Sequence, residues 1–527
     1  MLWWAVAAVS VLAGVYGVGV AALHVVIWQR ERRWRAAGYP LRMEDVPGWF
    51  ASLDNPEKAP PSSVTAEEVY RCVAGDAWEE LKADGWKPEN LLSYGVEELQ
   101  RYTAVKKSAD LDHFPLLDGV DMKQVPSVPL SVAAEREPLL ILVDHLLKGE
   151  MDEEMRARIQ FIIDNVLCGP EEGWPGIFPK EFPRTGPLSD EMIEKLGRHA
   201  AAVGPTMERL IGLLESYDFI RADWREGSDE ANAIQKFVHG ATQNCCYDAL
   251  LAVEAGAAGR AVESVCTALH FAAMHKHGFP CVMTSAYVWF DFKDICPTIE
   301  RMLNRLELEE SHLDRIEAAC RNFDDLNDLR RALVGELCFW NVPYRDPLGE
   351  IGSTFDRIRA RLTDRLAPLW APFSWNGLSR WSQSLAYVMG VLAAWPSPWP
   401  HRSSTIKQIE EAASKYPRYL FWTREMFRMT ALVFSLGDVV ASRVHSLVAA
   451  FAIERYRLCK GELPDALSEV DAPLDPYTGE PLRYRRTDAG YIVYSLGQNR
   501  TDDGGDRGTQ ESSNCPPDVV IEVGAGA

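Results

Sequence analysis

At 527 residues the chain exceeds one typical domain, and its 47% hydrophobic content supports two or three packed units and excludes a disordered chain. A formal net charge of -21 argues against a nucleic-acid binder, because phosphate binding needs a basic surface. Eleven cysteines, two of them adjacent at Cys245 and Cys246 and none in a CxxC pair, give neither a regular disulfide framework nor a structural zinc site, so most read as buried thiols.

The first element is an apolar run from Leu2 to Trp28, with only His24 able to carry charge. It is long enough to cross a hydrocarbon core of roughly 30 Å and is apolar on every face, which predicts a transmembrane anchor over residues 1–29. A cleaved signal peptide fits less well, since no basic residues open the run and no small-residue cleavage motif closes it. Arg30, Arg32, Arg33 and Arg35 follow at once, and the positive-inside rule places the chain beyond them in the cytoplasm. Residues 30–64, rich in Pro and polar residues, read as a juxtamembrane linker.

Residues 65–435 read as a helical domain. Thr65 and Glu68 form a capping box at its start, and Ser189 is the expected N-cap of a helix that bends near Gly204 and Pro205. Between them Ile159, Ile162, Ile163 and Val166 recur at helical spacing before a Pro-rich loop. Two long helical patterns flank Glu254 to Gly259, with small residues that permit close approach, which predicts an antiparallel helix pair. No period repeats cleanly, so the body is expected to be irregular α-hairpins, either TPR-like or an ordinary bundle. The apolar "SLAYVMGVLAAW" is too short to span a bilayer comfortably and reads as a buried core helix.

The pattern changes in the last part, residues 436–527. A helix carrying Val444, Leu447, Val448, Phe451 and Tyr456 on one face stops at Gly461 and Pro464. "PLDPYTGEP" is turn chemistry, "LRYRR" and "GYIVYS" pair as a hairpin across Thr487 to Ala489, and "DVVIEV" at 518–523 adds a strand. The fold class is therefore mainly α: an N-terminal transmembrane helix, a helical-hairpin body and a small C-terminal α+β module.

The order "AAFAIERYRLCKGELPDAL", "PLDPYTGEPLRYRR", "YIVYSLGQNRTDDGGD" and "DVV" resembles the C-terminal part of the major pseudopilin of type II secretion systems, over roughly the last 80 residues. The whole chain is also similar to a group of uncharacterised bacterial membrane-anchored helical proteins ending in this module. The pseudopilin resemblance implies a calcium loop made by Asn499, Asp502, Asp503, Asp506 and Asp518, with a backbone carbonyl near Leu496. Calcium takes six to eight hard oxygen ligands, and a Gly-rich acidic loop can fold carboxylates around one point, although the spacing is not that of an EF-hand. Turn formation and solvation by themselves account for the same residues. The resemblance also implies an outward-facing module, against the arginine cluster. Some 400 residues separate anchor and module here, so assembly into a fibre through one continuous helix is not implied.

No nucleophile elbow, Walker A loop or GxGxxG motif is present. His270 and His277, with Glu263, share one helical face, but two-turn steps separate neighbours by roughly 10 Å, too far for one metal without a second helix. The expected function is a non-catalytic, membrane-anchored helical scaffold that binds the membrane through residues 2–28 and an unidentified protein partner. The alternatives are a component or derivative of a type II secretion apparatus and a metal-dependent hydrolase.

Overall fold

The computed structural model describes residues 2–41, 62–97, 99–100, 186–217, 219–221, 228–278, 282–323, 332–335, 337–338, 385, 388–389, 411, 421–507 and 518–524. The segment around Ile159 and most of "SLAYVMGVLAAW" lie outside them. The described chain is mainly helical, with two small sheets.

Two compact units share the chain: Tyr70–Phe182 with Glu194–Leu210 form the smaller, and the rest forms the larger. In the smaller unit, helices α3 (Ala77–Ala83) and α4 (Pro88–Tyr94) bury Trp78, Leu81, Leu91 and Leu92. Helix α5 (Asp190–Leu214), of which Glu194–Leu210 belong to this unit, starts on Ser189, whose hydroxyl accepts from the Met192 amide at 3.3 Å, and it continues through Pro205. Leu196, Val203 and Leu210, two turns apart, line its buried face.

In the larger unit, helix α1 (Leu2–Ala36) runs eight residues past Trp28 and carries the arginines on its last turns. Val20, Ile27 and Trp34, seven apart, are buried, and the Trp34 indole donates to the Pro40 carbonyl at 2.6 Å. Strands β1 (Ser63–Thr65) and β2 (Phe219–Arg221) pair in parallel, and helix α2 (Ala66–Ala74), which belongs to this unit only as far as Val69, follows β1 directly. The capping box is present: Glu68 N donates to Thr65 Oγ1 at 3.3 Å, and Thr65 N donates to Glu68 Oε2 at 2.9 Å.

Three long helices follow, α6 (Ser228–Glu254), α7 (Ala258–Gly278) and α8 (Val282–Arg305), then the shorter α9 (Glu310–Arg321). The α6–α7 turn is sharp because Gly256, at φ +69°, lets its N–H reach Val253 O at 3.0 Å and the Ala257 N–H reach Ala252 O at 2.8 Å. These two bonds satisfy helix-end carbonyls that would otherwise be orphaned. Ala249, Ala252, Ala261, Ala268 and Ala272 are buried, so small side chains sit where the two helices meet. Contact partners fix the directions. Gln235 meets His275 and Asp248 meets Ser264, so α7 runs antiparallel to α6. His239 meets Asp291, Gln243 meets Asp294 and Glu254 meets Arg301, so α8 runs parallel to α6.

Helix α10 (Phe421–Lys460) spans about 60 Å at 1.5 Å per residue. It packs on α8 and α9 and on the C-terminal sheet, burying Val444, Leu447, Val448 and Phe451. Its part from Ser435 to Lys460 is long and apolar enough to cross a membrane, yet most of it is buried within the protein, as in a core helix. The sheet is antiparallel in the order β3 (Arg483–Thr487), β4 (Gly490–Ser495), β5 (Val519–Gly524), with the hairpin turn at Asp488 and Ala489. Both faces of β4 are covered. Tyr491 points to α10, its hydroxyl donating to Ala450 O at 3.3 Å, while Ile492 and Tyr494 cluster with Leu496 and Val520 on the other face.

Candidate functional site

The turn before β3 explains how the acidic loop is held. Asp475 is buried and accepts from Tyr477 N at 2.9 Å, Ser495 Oγ at 2.8 Å and Leu496 N at 3.0 Å. One carboxylate thus fastens "DPYTGEP" to the end of β4, and each of its oxygens is satisfied. From Gly497 the chain folds back until Gly505 lies against Ile492 and Tyr494.

Each residue of the expected calcium loop is described. Asn499 donates to Asp503 Oδ2 at 2.8 Å and accepts from Thr501 N at 3.0 Å. Asp502 accepts from the Tyr494 hydroxyl at 2.9 Å and from Gly504 N at 3.0 Å, with Arg483 at 3.6 Å. Asp518, at the start of β5, is buried and accepts from Gly505 N at 2.9 Å, while the Asp506 backbone supports it as well. Burial pushes its carboxyl up to about 6, with the Asp503 and Asp502 charges adding to the rise. Its Oδ1 is buried without a hydrogen bond among the described residues. Three carboxylates therefore feel one another at one end of the sheet, and a hard divalent cation suits that donor set. As the side chains stand, no group of three or more His, Cys, Asp or Glu among the described residues surrounds a common point.

The histidine-rich end of α7 is arranged differently from the expected face. Glu263 and His270 are both exposed, and the side chain of His277 lies outside the described residues. The buried histidine is His275, five positions from His270 and so about 140° round the helix at 100° per residue.

His275 belongs to a polar seam between α6, α7 and α8 that periodicity alone did not single out. Along α6, Asn232, Gln235, His239 and Gln243 follow at steps of three and four; along α8, Tyr287, Asp291 and Asp294 do the same. Asn232 accepts from the Tyr287 hydroxyl at 3.0 Å, His239 Nδ1 meets Asp291 Oδ1 at 2.5 Å, and Gln243 donates to Asp294 Oδ2 at 3.1 Å. His275 Nδ1 contacts the Gln235 amide oxygen, and its Nε2 lies 3.1 Å from Asp291 Oδ2, without the alignment of a full hydrogen bond. A buried Glu254–Arg301 ion pair closes the seam, and Glu254 also accepts from Leu188 N at 3.3 Å.

Asp291 is the centre. Burial alone would raise its carboxyl, but the charge of His275 and the hydrogen bond and charge of His239 outweigh it and hold the group below the usual carboxylate value. Burial would lower His239, and there too the Asp291 hydrogen bond and charge prevail, raising the imidazole above its ordinary value. Asp294 goes the other way, pushed up to about 6 mainly by burial. Cys246 and Cys245 on α6 are buried thiols whose ionisation burial suppresses, which makes them inert.

No protein-family model, curated protein or solved structure matches the chain.

Proposed function

We propose that the chain is a membrane-anchored helical scaffold: residues 2–28 hold it in a bilayer, the stacked helices offer a surface to a protein partner, and residues 436–527 close it as a pseudopilin-like module. One observation carries the anchor. Of the eight exposed large apolar side chains among the described residues, five (Tyr16, Val18, Val25, Val26 and Trp28) lie on α1. A cluster of that kind on a single helix, followed by Arg30, Arg32, Arg33 and Arg35, is what a lipid-facing segment with a basic flank requires. The test is flotation with liposomes. The full chain should float and resist carbonate extraction, and a chain lacking residues 2–28 should stay in the soluble fraction. A full chain that remains at the bottom of the gradient refutes the anchor. Alkaline-phosphatase and green-fluorescent reporters fused after Ala527 then decide the side: phosphatase activity favours an outward module, fluorescence a cytoplasmic one.

The second reading is a component or derivative of a type II secretion apparatus with a calcium loop. It is supported by the buried Asp518 oxygen left without a hydrogen bond beside Asp502 and Asp503. Calcium added to the full chain in detergent should raise its Tm, and Asp518→Asn should abolish the rise. An unchanged Tm at millimolar calcium removes the loop from consideration.

A further inference from the structure

The polar seam holds one group that neither anchoring nor a calcium loop uses. The His239 ring is turned so that Nδ1 meets the wholly buried Asp291, while the side chain remains 22% exposed. Among the described residues its hydrogen bonding runs through Nδ1 alone, so Nε2, across the ring, is free. On the other oxygen side of Asp291 stands His275, itself held by Gln235, which fixes the carboxylate from behind. An imidazole whose inner nitrogen is oriented by a buried carboxylate and whose outer nitrogen is unengaged has the arrangement of a general base.

We propose that His239 is the general base of a hydrolytic site between α6 and α8, acting on small uncharged acyl esters, with Asp291 as its positioning residue. His239 Nε2 takes a proton from water as the water oxygen bonds to the acyl carbon. Collapse of the tetrahedral intermediate breaks the bond to the leaving oxygen, which receives that proton from Nε2, leaving an acid, an alcohol and the neutral imidazole. The groups facing His239 define the substrate class. Asp291 and Asp294 from α8 and the overall charge of -21 disfavour anions. Phe290, exposed and with its ring centroid 6.1 Å from that of His239, offers an apolar platform, and Tyr287, 6.1 Å from His239 and 6.2 Å from Phe290, continues that platform on the same side.

The test uses the full chain in detergent with p-nitrophenyl acetate as the probe, following p-nitrophenolate release against pH. Wild type should exceed buffer, and His239→Gln should lower the rate at least about tenfold, as loss of a general base does. His270→Gln, which removes an exposed imidazole, should leave the rate unchanged. Asp291→Asn should move the midpoint of the pH profile downward, because it removes the charge that keeps His239 protonated; a purely structural role would lower the rate without moving the midpoint. If His239→Gln fails to fold, carbethoxylation of wild type with diethyl pyrocarbonate replaces it, and hydrolysis should fall in step with the adduct at His239. A wild-type rate no greater than that of buffer or of His239→Gln, or hydrolysis that survives full modification of His239, overturns the proposal.

Discussion

Replacing Asn304 should free the outer backbone of β5. Asn304 Oδ1 accepts from Gly524 N at 2.7 Å and its Nδ2 donates to Glu522 O at 3.0 Å, while Glu300 Oε1 accepts from Glu522 N at 2.9 Å. Two side chains one turn apart on α8 therefore pair with a strand as another strand would. Asn304→Ala leaves a part-buried N–H and C=O without partners, each worth ~1–3 kcal/mol. With partial rehydration the expected cost is about 3 kcal/mol, or roughly a hundredfold in local opening. Hydrogen–deuterium exchange on peptides containing residues 518–524 reads this directly, since β5 amides should exchange faster by about that factor while α6 and α7 stay protected. Glu300→Gln provides the contrast. It keeps an oxygen for Glu522 N but loses the charge that pairs with Arg507, so β5 should remain protected as Arg507 is released. If β5 exchanges equally in wild type and Asn304→Ala, the side-chain pairing does not hold the strand.

Asp291→Ala removes the buried carboxylate that His239 bonds and His275 faces, and should cost about 3–5 kcal/mol in urea unfolding, as loss of one partner from a buried charge cluster does. The same variant should flatten the pH dependence of stability. The lowered Asp291 contributes above the ordinary carboxylate value of 3.8 and loses its contribution as acid titrates it, while the raised His239 contributes fully below 6.5 and loses it as pH rises through its elevated value. Asp518 has the opposite sign. A carboxyl raised to about 6 makes the fold less stable as pH climbs from 3.8 to 6, so Asp518→Asn should raise Tm at pH 7 in the absence of calcium and leave it unchanged at pH 3. In the smaller unit, Gly95→Ala should lower Tm, because φ is +77° and the new Cβ would fall on the Ala202 carbonyl oxygen, with backbone strain alone worth about 1–3 kcal/mol. Gly197→Ala, on an open helical surface of the same unit, should raise stability by about 0.5–1 kcal/mol.

Local chemistry was legible in the sequence wherever both partners lie within a few residues. The Thr65–Glu68 capping box, the Ser189 cap, the turn after Glu254 and the β3–β4 hairpin all formed at the expected positions. What the sequence hid depends on partners far apart. The β1–β2 pair joins two three-residue strands more than 150 positions apart, too short to show a period. The seam is a row of Asn, Gln and His at helical spacing, which by itself reads as a solvated face; only the matching row on α8, some 50 residues on, makes it an interior. His270 and His275 look alike in a histidine-rich stretch, and the helix's rotation alone decides which of them is buried.

The Glu300 and Asn304 clamp also limits how this chain can associate. Growth of a β-sheet from molecule to molecule needs an accepting edge at each end, and here the groups of Glu522 and Gly524 at one end are already occupied from within. Among the described residues of this three-stranded sheet β3 is the other edge, so contact between copies through this sheet closes a symmetric pair across β3 and does not continue past the clamped end of β5.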